Sequence, residues 1–310
     1  MRTFQSIPDY LNYRCKQDPS KNAVGKVKRR KIHWLTYKQY KKKIDILTRA
    51  LGELELKQGD PLAILATTSL EWHLVDMATL CRGSVVVPIY PTTIYEQIEF
   101  ILKQTQTNIL VVDKERRLRE LAHHIHNGNL KYIVVLEDLE DREGLEKQLP
   151  EKIKIYDLGE LQNLGQKALE ENKNTIPTPQ LSGEETATIV YTSGTSGVPK
   201  GAVITHKALC TMLENLYEAF QGTIGTKDRT LSFLPLSHVL GRCDSLLYLP
   251  FGLEVVYAEN IDRILNNLKT AKPTVMIAVP RIFEKIYDGV REQTKKENWF
   301  KQQIFDWAMQ

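Results

Sequence analysis

Short uninterrupted apolar runs punctuate this chain, separated by stretches in which apolar residues recur every three or four positions. The runs are Leu62-Ala63-Ile64-Leu65-Ala66, Val85-Val86-Val87-Pro88-Ile89, Ile109-Leu110-Val111-Val112 closed by Asp113, and Tyr132-Ile133-Val134-Val135-Leu136. A run without polar alternation is apolar on both faces, as in a strand buried within a parallel sheet. Ser69 is placed to cap a helix carrying Trp72, Val75 and Leu80, and helical spacing recurs over residues 95–104 and 115–126. Residues 172–185, with Pro177, Pro179 and Gly183, read as a polar junction. Beyond it, strands are expected at 231–234, 254–257 and 274–279, and helices over 207–220, after Ser237, and over 262–269 and 281–296. The alternation predicts an α/β fold with parallel-rich sheets covered by helices, divided into a first subdomain over residues 1–180 and a second over 181–310. At the end of the chain Phe300, Ile304, Trp307 and Ala308 share a helical face with no Gly, Asn or Pro stop before Gln310, so the chain is expected to be cut from a larger protein.

Composition adds limits. The 310 residues are 42% apolar and 26% charged, ordinary values for a globular protein with a sizeable core. A net charge of +4 leaves no footprint for nucleic acid. The basic residues do cluster, at Lys26, Lys28, Arg29, Arg30 and Lys31 and again at Lys41, Lys42 and Lys43. Such runs attract anionic lipid or a phosphorylated substrate, or simply form a solvated hairpin and helix face. Cys15, Cys81, Cys210 and Cys243 lie far apart and without metal-ligand spacing, as reduced thiols do. His123, His124 and His126 form an H-H-x-H cluster without partner ligands nearby in sequence. Neither an apolar leader nor a membrane-length run is present, and the expected location is cytoplasmic, with peripheral membrane contact as an addition.

The densest chemistry lies at residues 191–201, Tyr-Thr-Ser-Gly-Thr-Ser-Gly-Val-Pro-Lys-Gly. The β-branched run Thr188-Ile189-Val190 precedes it, and a segment of helical pattern begins near Thr205-His206. A strand, Gly-rich turn and helix in succession let backbone N–H groups hold phosphate oxygens. Thr192, Ser193, Thr195 and Ser196 add hydroxyls, Gly194, Gly197 and Gly201 permit close backbone approach, and Lys200 supplies a mobile charge. The spacing excludes the common P-loop, which requires G-x-x-x-x-G-K-[ST], and no G-x-S-x-G nucleophile elbow can be read here. A second group, Leu234-Pro235-Leu236-Ser237-His238-Val239 with Arg242, follows a predicted strand, the usual place for ligands in α/β enzymes. Ser237 is expected to cap the next helix, with His238 in its first turn. On these residues alone His238 is either a site residue or a histidine bonded to the backbone.

Residues 191–201 resemble the phosphate-loop signature of the adenylate-forming (AMP-dependent) synthetase and ligase superfamily, with Ser196 where many members carry Thr. Residues 235–239 with Arg242, and Val279-Pro280-Arg281-Ile282-Phe283-Glu284-Lys285-Ile286, are most similar to bacterial long-chain fatty-acid–CoA ligases. The resemblance implies the large N-terminal domain of such an enzyme. It implies ATP bound at Thr192, Ser193, Gly194, Thr195, Ser196, Gly197 and Lys200, Mg2+ near Thr195, His238 as a catalytic residue, and coenzyme A and a fatty acid as co-substrates. The aromatic-Gly-x-Thr-Glu motif, the ribose-binding aspartate and the adenylation lysine are not found, and the resemblance places them beyond Gln310. Activity on another carboxylic acid or a carrier protein, or a non-catalytic nucleotide-binding module, are the competing readings.

Overall fold

The computed structural model describes residues 3–125, 128–171, 179–193 and 198–295, together with Trp299, Gln303 and Trp307. Helix α1 (Ile7–Gln17), capped by Ser6, leads into the hairpin β1 (Asn22–Lys28) and β2 (Lys31–Thr36) and then α2 (Tyr37–Glu53). There follow β3 (Pro61–Leu65), α3 (Leu70–Cys81), β4 (Val85–Ile89), α4 (Tyr95–Gln104), β5 (Ile109–Val112), α5 (Glu115–Ala122) and β6 (Tyr132–Val135). A short α6 (Arg142–Glu146), β7 (Lys154–Asp157) and α7 (Leu158–Glu170) complete this run. After the junction come β8 (Thr186–Ser193), β9 (Pro199–Thr205), α8 (His206–Phe220), β10 (Arg229–Ser232), α9 (Val239–Leu246), α10 (Tyr248–Phe251) and β11 (Glu254–Tyr257). A 3-10 turn, Ile261–Arg263, precedes α11 (Ile264–Ala271) and α12 (Pro280–Lys295).

The expected parallel runs form as read. Strands β3, β4, β5 and β6 pair in parallel and are buried along almost their whole length. Ser69 does cap α3, its hydroxyl accepting from the Trp72 N–H. Two sheets result among the described residues, in the orders β7-β6-β5-β3-β4-β8-β9 and β10-β11-β1-β2. Helices α1, α2, α3 and α8 pack into the largest core, around Trp72, Tyr40, Leu47 and Tyr248.

Two expectations need correction. The stretch 191–201 does not lead from strand to helix: β8 and β9 pair antiparallel, with Tyr191 opposite Gly201 and Thr192 opposite Lys200, and the helix starts only at His206. Pro199 and two polar neighbours hid β9, an edge strand with largely exposed residues. The expected strand at 274–279 is reduced to one bridge, Thr230 to Val275, because the Thr274 and Val275 N–H groups both bond to the Arg229 carbonyl at the start of β10. Each sheet draws strands from both sides of residue 180. β8 and β9 extend the sheet built by β3–β7, while β1 and β2 join β10 and β11. The chain closes both sheets by long-range pairing, which no local pattern announces.

Candidate functional site

β4 and β8 are parallel neighbours, so their carboxyl ends share one edge of the sheet. A cavity of about 490 Å³ opens there. Pro88, Ile89, Tyr90, Thr92, Thr93 and Gln97 line it from the end of β4 and the start of α4. Val190, Tyr191, Thr192 and Pro199 line it from the β8–β9 hairpin, and His238 with Val239 from the start of α9. Thus Thr192 and His238, 46 positions apart in sequence, meet at one cavity. Lys200 is exposed on β9, and β8 ends at Ser193, whose side chain falls outside the described set. Gly194, Thr195, Ser196 and Gly197, expected to hold nucleotide and metal, also lie outside the described residues. So do His126, Phe300, Ile304 and Phe305. His124 stacks on Tyr95 at 4.2 Å between ring centroids, and neither it nor His123 lines the cavity.

The loop that delivers His238 is held from several sides. Thr68, just past β3, donates its hydroxyl to the Leu234 carbonyl at 2.7 Å and accepts from the Leu236 N–H at 3.1 Å. His238, not Ser237, caps α9: its Nδ1 accepts from the Leu240 N–H at 3.1 Å. That bond makes Nδ1 the acceptor and leaves Nε2 to carry the proton in the neutral ring. The ring is therefore bonded to the backbone and also stands on the cavity wall. Ser237 is instead buried, with no hydrogen-bond partner for its hydroxyl among the described residues. Gly241 has no room for a side chain, since a Cβ there would sit 2.2 Å from the Pro235 carbonyl oxygen. Gly201 is similarly constrained by Ile189, at 2.8 Å from such a Cβ.

Behind the cavity lies a buried polar group of which sequence reading singled out only Arg242. The Arg242 guanidinium, 1% exposed, pairs with Asp76 of α3 at 2.6 Å and donates to the Thr188 hydroxyl of β8 at 2.8 Å. Thr188 in turn donates to the Val86 carbonyl of β4. One side chain thus ties the helix capped by His238 to β8 and, through Thr188, to β4. Burial pushes the Asp76 carboxyl up to about 6 in spite of the guanidinium beside it, and Asp244 of α9 up to about 7. Burial also drives His73 down to about 3, so its ring is neutral, bonded through Nε2 to the Tyr40 hydroxyl at 2.6 Å. The sequence signal for Tyr90, Thr92 and Thr93 was present, since residues just past a buried parallel strand are where ligands sit. None existed for Asp76, which reads as one more helical carboxylate.

A parallel sheet covered on both faces, with a cleft at the carboxyl ends of neighbouring strands, defines the class of α/β protein that binds ligands at strand ends. The family follows from comparison: residues 11–304 match the family described as AMP-binding enzyme, and the chain belongs to that family. It is 28% identical over 306 residues to fatty acyl-CoA synthetase B of Dictyostelium discoideum, covering 98% of this chain and 44% of that protein. It is 31% identical over 269 residues to long-chain-fatty-acid–CoA ligase FadD15 of Mycobacterium bovis, covering 86% of this chain and 42% of the relative. The chain thus spans somewhat less than half the length of these curated relatives. In fold it is similar to the adenylation domain of a carboxylate reductase from Mycobacterium chelonae, with a TM-score of 0.80 at 19% identity over 94% of this chain and 48% of that one. These are adenylate-forming ligase relatives, and the fold matches that of the N-terminal domains of such enzymes. No helix among the described residues is long and apolar enough to cross a membrane.

Proposed function

We propose that this chain supplies the phosphate-gripping part of an AMP-forming acid–thiol ligase that converts a long-chain fatty acid to its coenzyme A thioester. The observation that carries the proposal is the convergence of Thr192, Pro199 and His238 on one cavity at the carboxyl ends of β4 and β8. A carboxylate is a poor acyl donor because its oxide leaving group is strongly basic. In the proposed reaction a carboxylate oxygen attacks the α-phosphorus of ATP in line, the bond to the β-phosphate oxygen breaks, and pyrophosphate leaves. The coenzyme A thiol then attacks the acyl carbonyl and AMP departs. Such transfers need positioning and charge neutralisation rather than a protein nucleophile.

The roles follow from the chemistry of the side chains. Thr192, Ser193, Gly194, Thr195, Ser196 and Gly197 offer hydroxyl and backbone donors to the β- and γ-phosphates, and Lys200 follows the departing pyrophosphate. His238 donates from Nε2 to the carboxylate or the α-phosphate. Pro88, Ile89, Ile101, Val190 and Val239 give the cavity an apolar wall suited to a hydrocarbon chain. Magnesium is the counter-ion of ATP and neutralises phosphate charge. A hydroxyl such as that of Thr195 is a hard donor suited to an ion that keeps most of its own water. The relatives are more than twice as long as this chain, and the 310 residues by themselves are expected to bind ATP weakly.

Fatty-acid-dependent exchange between ATP and labelled pyrophosphate on the complete protein tests the reading, with hexadecanoate, octanoate and benzoate compared. Exchange is expected with hexadecanoate, and Lys200→Ala should slow it about tenfold or more. Exchange with benzoate alone would move the substrate to aryl acids. None with any acid would leave only a nucleotide-binding module.

A further inference from the structure

The basic run that the proposed function leaves unused converges with a third arginine. β1, β11 and β10 are parallel neighbours, so their carboxyl ends share one edge. β10 leads to His238, β11 leads to Glu259 and Arg263, and β1 ends in the turn Arg29-Arg30. Arg29, Arg30, Arg263, Glu259 and Asn266 surround an open concavity of about 530 Å³ at that edge, sharing no residue with the cavity of His238.

The turn is unfavourable for folding in two ways. Arg29 and Arg30 have φ of 52° and 61°, the left-handed region that a two-residue hairpin turn requires and that Asn-Gly occupies most readily. Side chains with a Cβ adopt it at a cost of roughly 1 kcal/mol each. Lys28 and Lys31 are direct cross-strand partners in the register, so like charges also face each other. Lys26 is neutralised by Glu71, but Arg29 and Arg30 have no carboxylate partner among the described residues. On the opposite wall Asn260 accepts from the Arg263 N–H at 3.0 Å and fixes the 3-10 turn. Glu259, the one carboxylate lining the concavity among the described residues, is held at 3.4 Å by Arg263 and at 3.1 Å by Asn267. Three guanidinium groups therefore face one occupied carboxylate, and two of them, Arg29 and Arg30, stand in a turn whose local energetics favour other residues. Strain concentrated with unpaired charge marks a ligand site rather than a folding device.

We infer that Arg29, Arg30 and Arg263 form a phosphate-binding site at the edge of the four-stranded sheet, separate from the nucleotide cleft. Guanidinium groups bind phosphate through paired N–H donors, and the site takes a phosphomonoester or phosphodiester anion. A soluble phosphorylated molecule and a phospholipid headgroup share that chemistry.

Two measurements on the protein separate the sources. Inorganic phosphate is titrated while the arginine Nε–H resonances are followed by NMR, and sedimentation is measured with vesicles of phosphatidylcholine alone or mixed equally with phosphatidylglycerol. Saturable shifts at Arg29, Arg30 and Arg263 are expected, with affinity falling about tenfold in Arg263→Gln and in Arg29→Asn/Arg30→Gly. The double variant should also raise Tm by about 2 °C, because it relieves the turn. Vesicle binding that needs phosphatidylglycerol and is lost in the variants assigns the headgroup. Phosphate shifts without vesicle binding assign a soluble ligand. Absence of both, or binding unchanged in Arg263→Gln, overturns the site. Neither result depends on ATP–pyrophosphate exchange, so the inference and the proposed ligase function fail separately.

Discussion

His238 joins two roles that a single substitution would confuse. Its Nδ1 caps α9, while the ring lines the cavity beside Thr192. His238→Ala should therefore lose about 1 kcal/mol of stability with the cap as well as turnover. Asn is a strong cap, so His238→Asn should recover the melting temperature but keep an exchange rate about tenfold or more below wild type. Recovery of both would reduce His238 to a cap. Asp244 gives a prediction in pH. Its carboxyl is raised to about 7 by burial, well above the unfolded value near 3.9. The folded state holds that proton more tightly, so Asp244 contributes stability below pH ~4 that is lost as pH rises through 7. Asp244→Asn keeps an acceptor for the Thr230 hydroxyl, which lies 3.1 Å away. It should be more stable than wild type at pH 8, by roughly 2 kcal/mol, with the advantage fading toward pH 4. Urea midpoints of variant minus wild type are the measurement. The difference matters because neutral His73 and His206, lowered by burial to about 3 and about 4, act in the opposite direction over part of that range.

At the scale of elements, the site depends on how closely α9 approaches the loop before it. Helix propensity says that Gly241→Ala should stabilise α9 by up to about 1 kcal/mol. The packing says the reverse, because the new Cβ would lie 2.2 Å from the backbone oxygen of Pro235. Backbone cannot yield as a side-chain end can, so a net loss of roughly 2–3 kcal/mol is expected in urea unfolding. Displacement of His238 should then raise KM for ATP as well. A stabilised variant would refute the close packing. The same tension explains β9. Its sequence, Pro-Lys-Gly-Ala-Val-Ile-Thr, is a weak strand by propensity, yet β8 offers an open antiparallel edge that it fills from Ser193 opposite Pro199 to Thr186 opposite Thr205.

Over the whole molecule, apolar surface is left on α12. Phe283, Tyr287 and Val290 lie on one helical face and are 53%, 40% and 38% exposed, and Trp299 and Trp307 are exposed further along. A contiguous patch of this kind favours association. The 310-residue chain is expected to sediment as concentration-dependent oligomers, and Phe283→Ser with Tyr287→Ser should shift it toward monomer. A wild-type chain that stays monomeric at all concentrations would contradict this.

The sequence by itself determined the elements whose cause is local. Runs such as Ile109-Leu110-Val111-Val112 are apolar on both faces and can only be central strands, and Ser69 fixes the start of α3 through its own hydroxyl. It also carried the chemistry of residues 191–201 and 234–239, because hydroxyls, glycines, a lysine and a histidine are legible as residue types. Only the tertiary structure decided which strands share a sheet. Val24 of β1 pairs with Val255 of β11, a choice made by the burial of two distant faces together. It likewise decided the fate of Arg242, which the sequence sets beside the His238 motif without indicating what it pairs with. Its partner Asp76 lies 166 positions away, and the energy of a buried ion pair exists only once the fold has removed both groups from water.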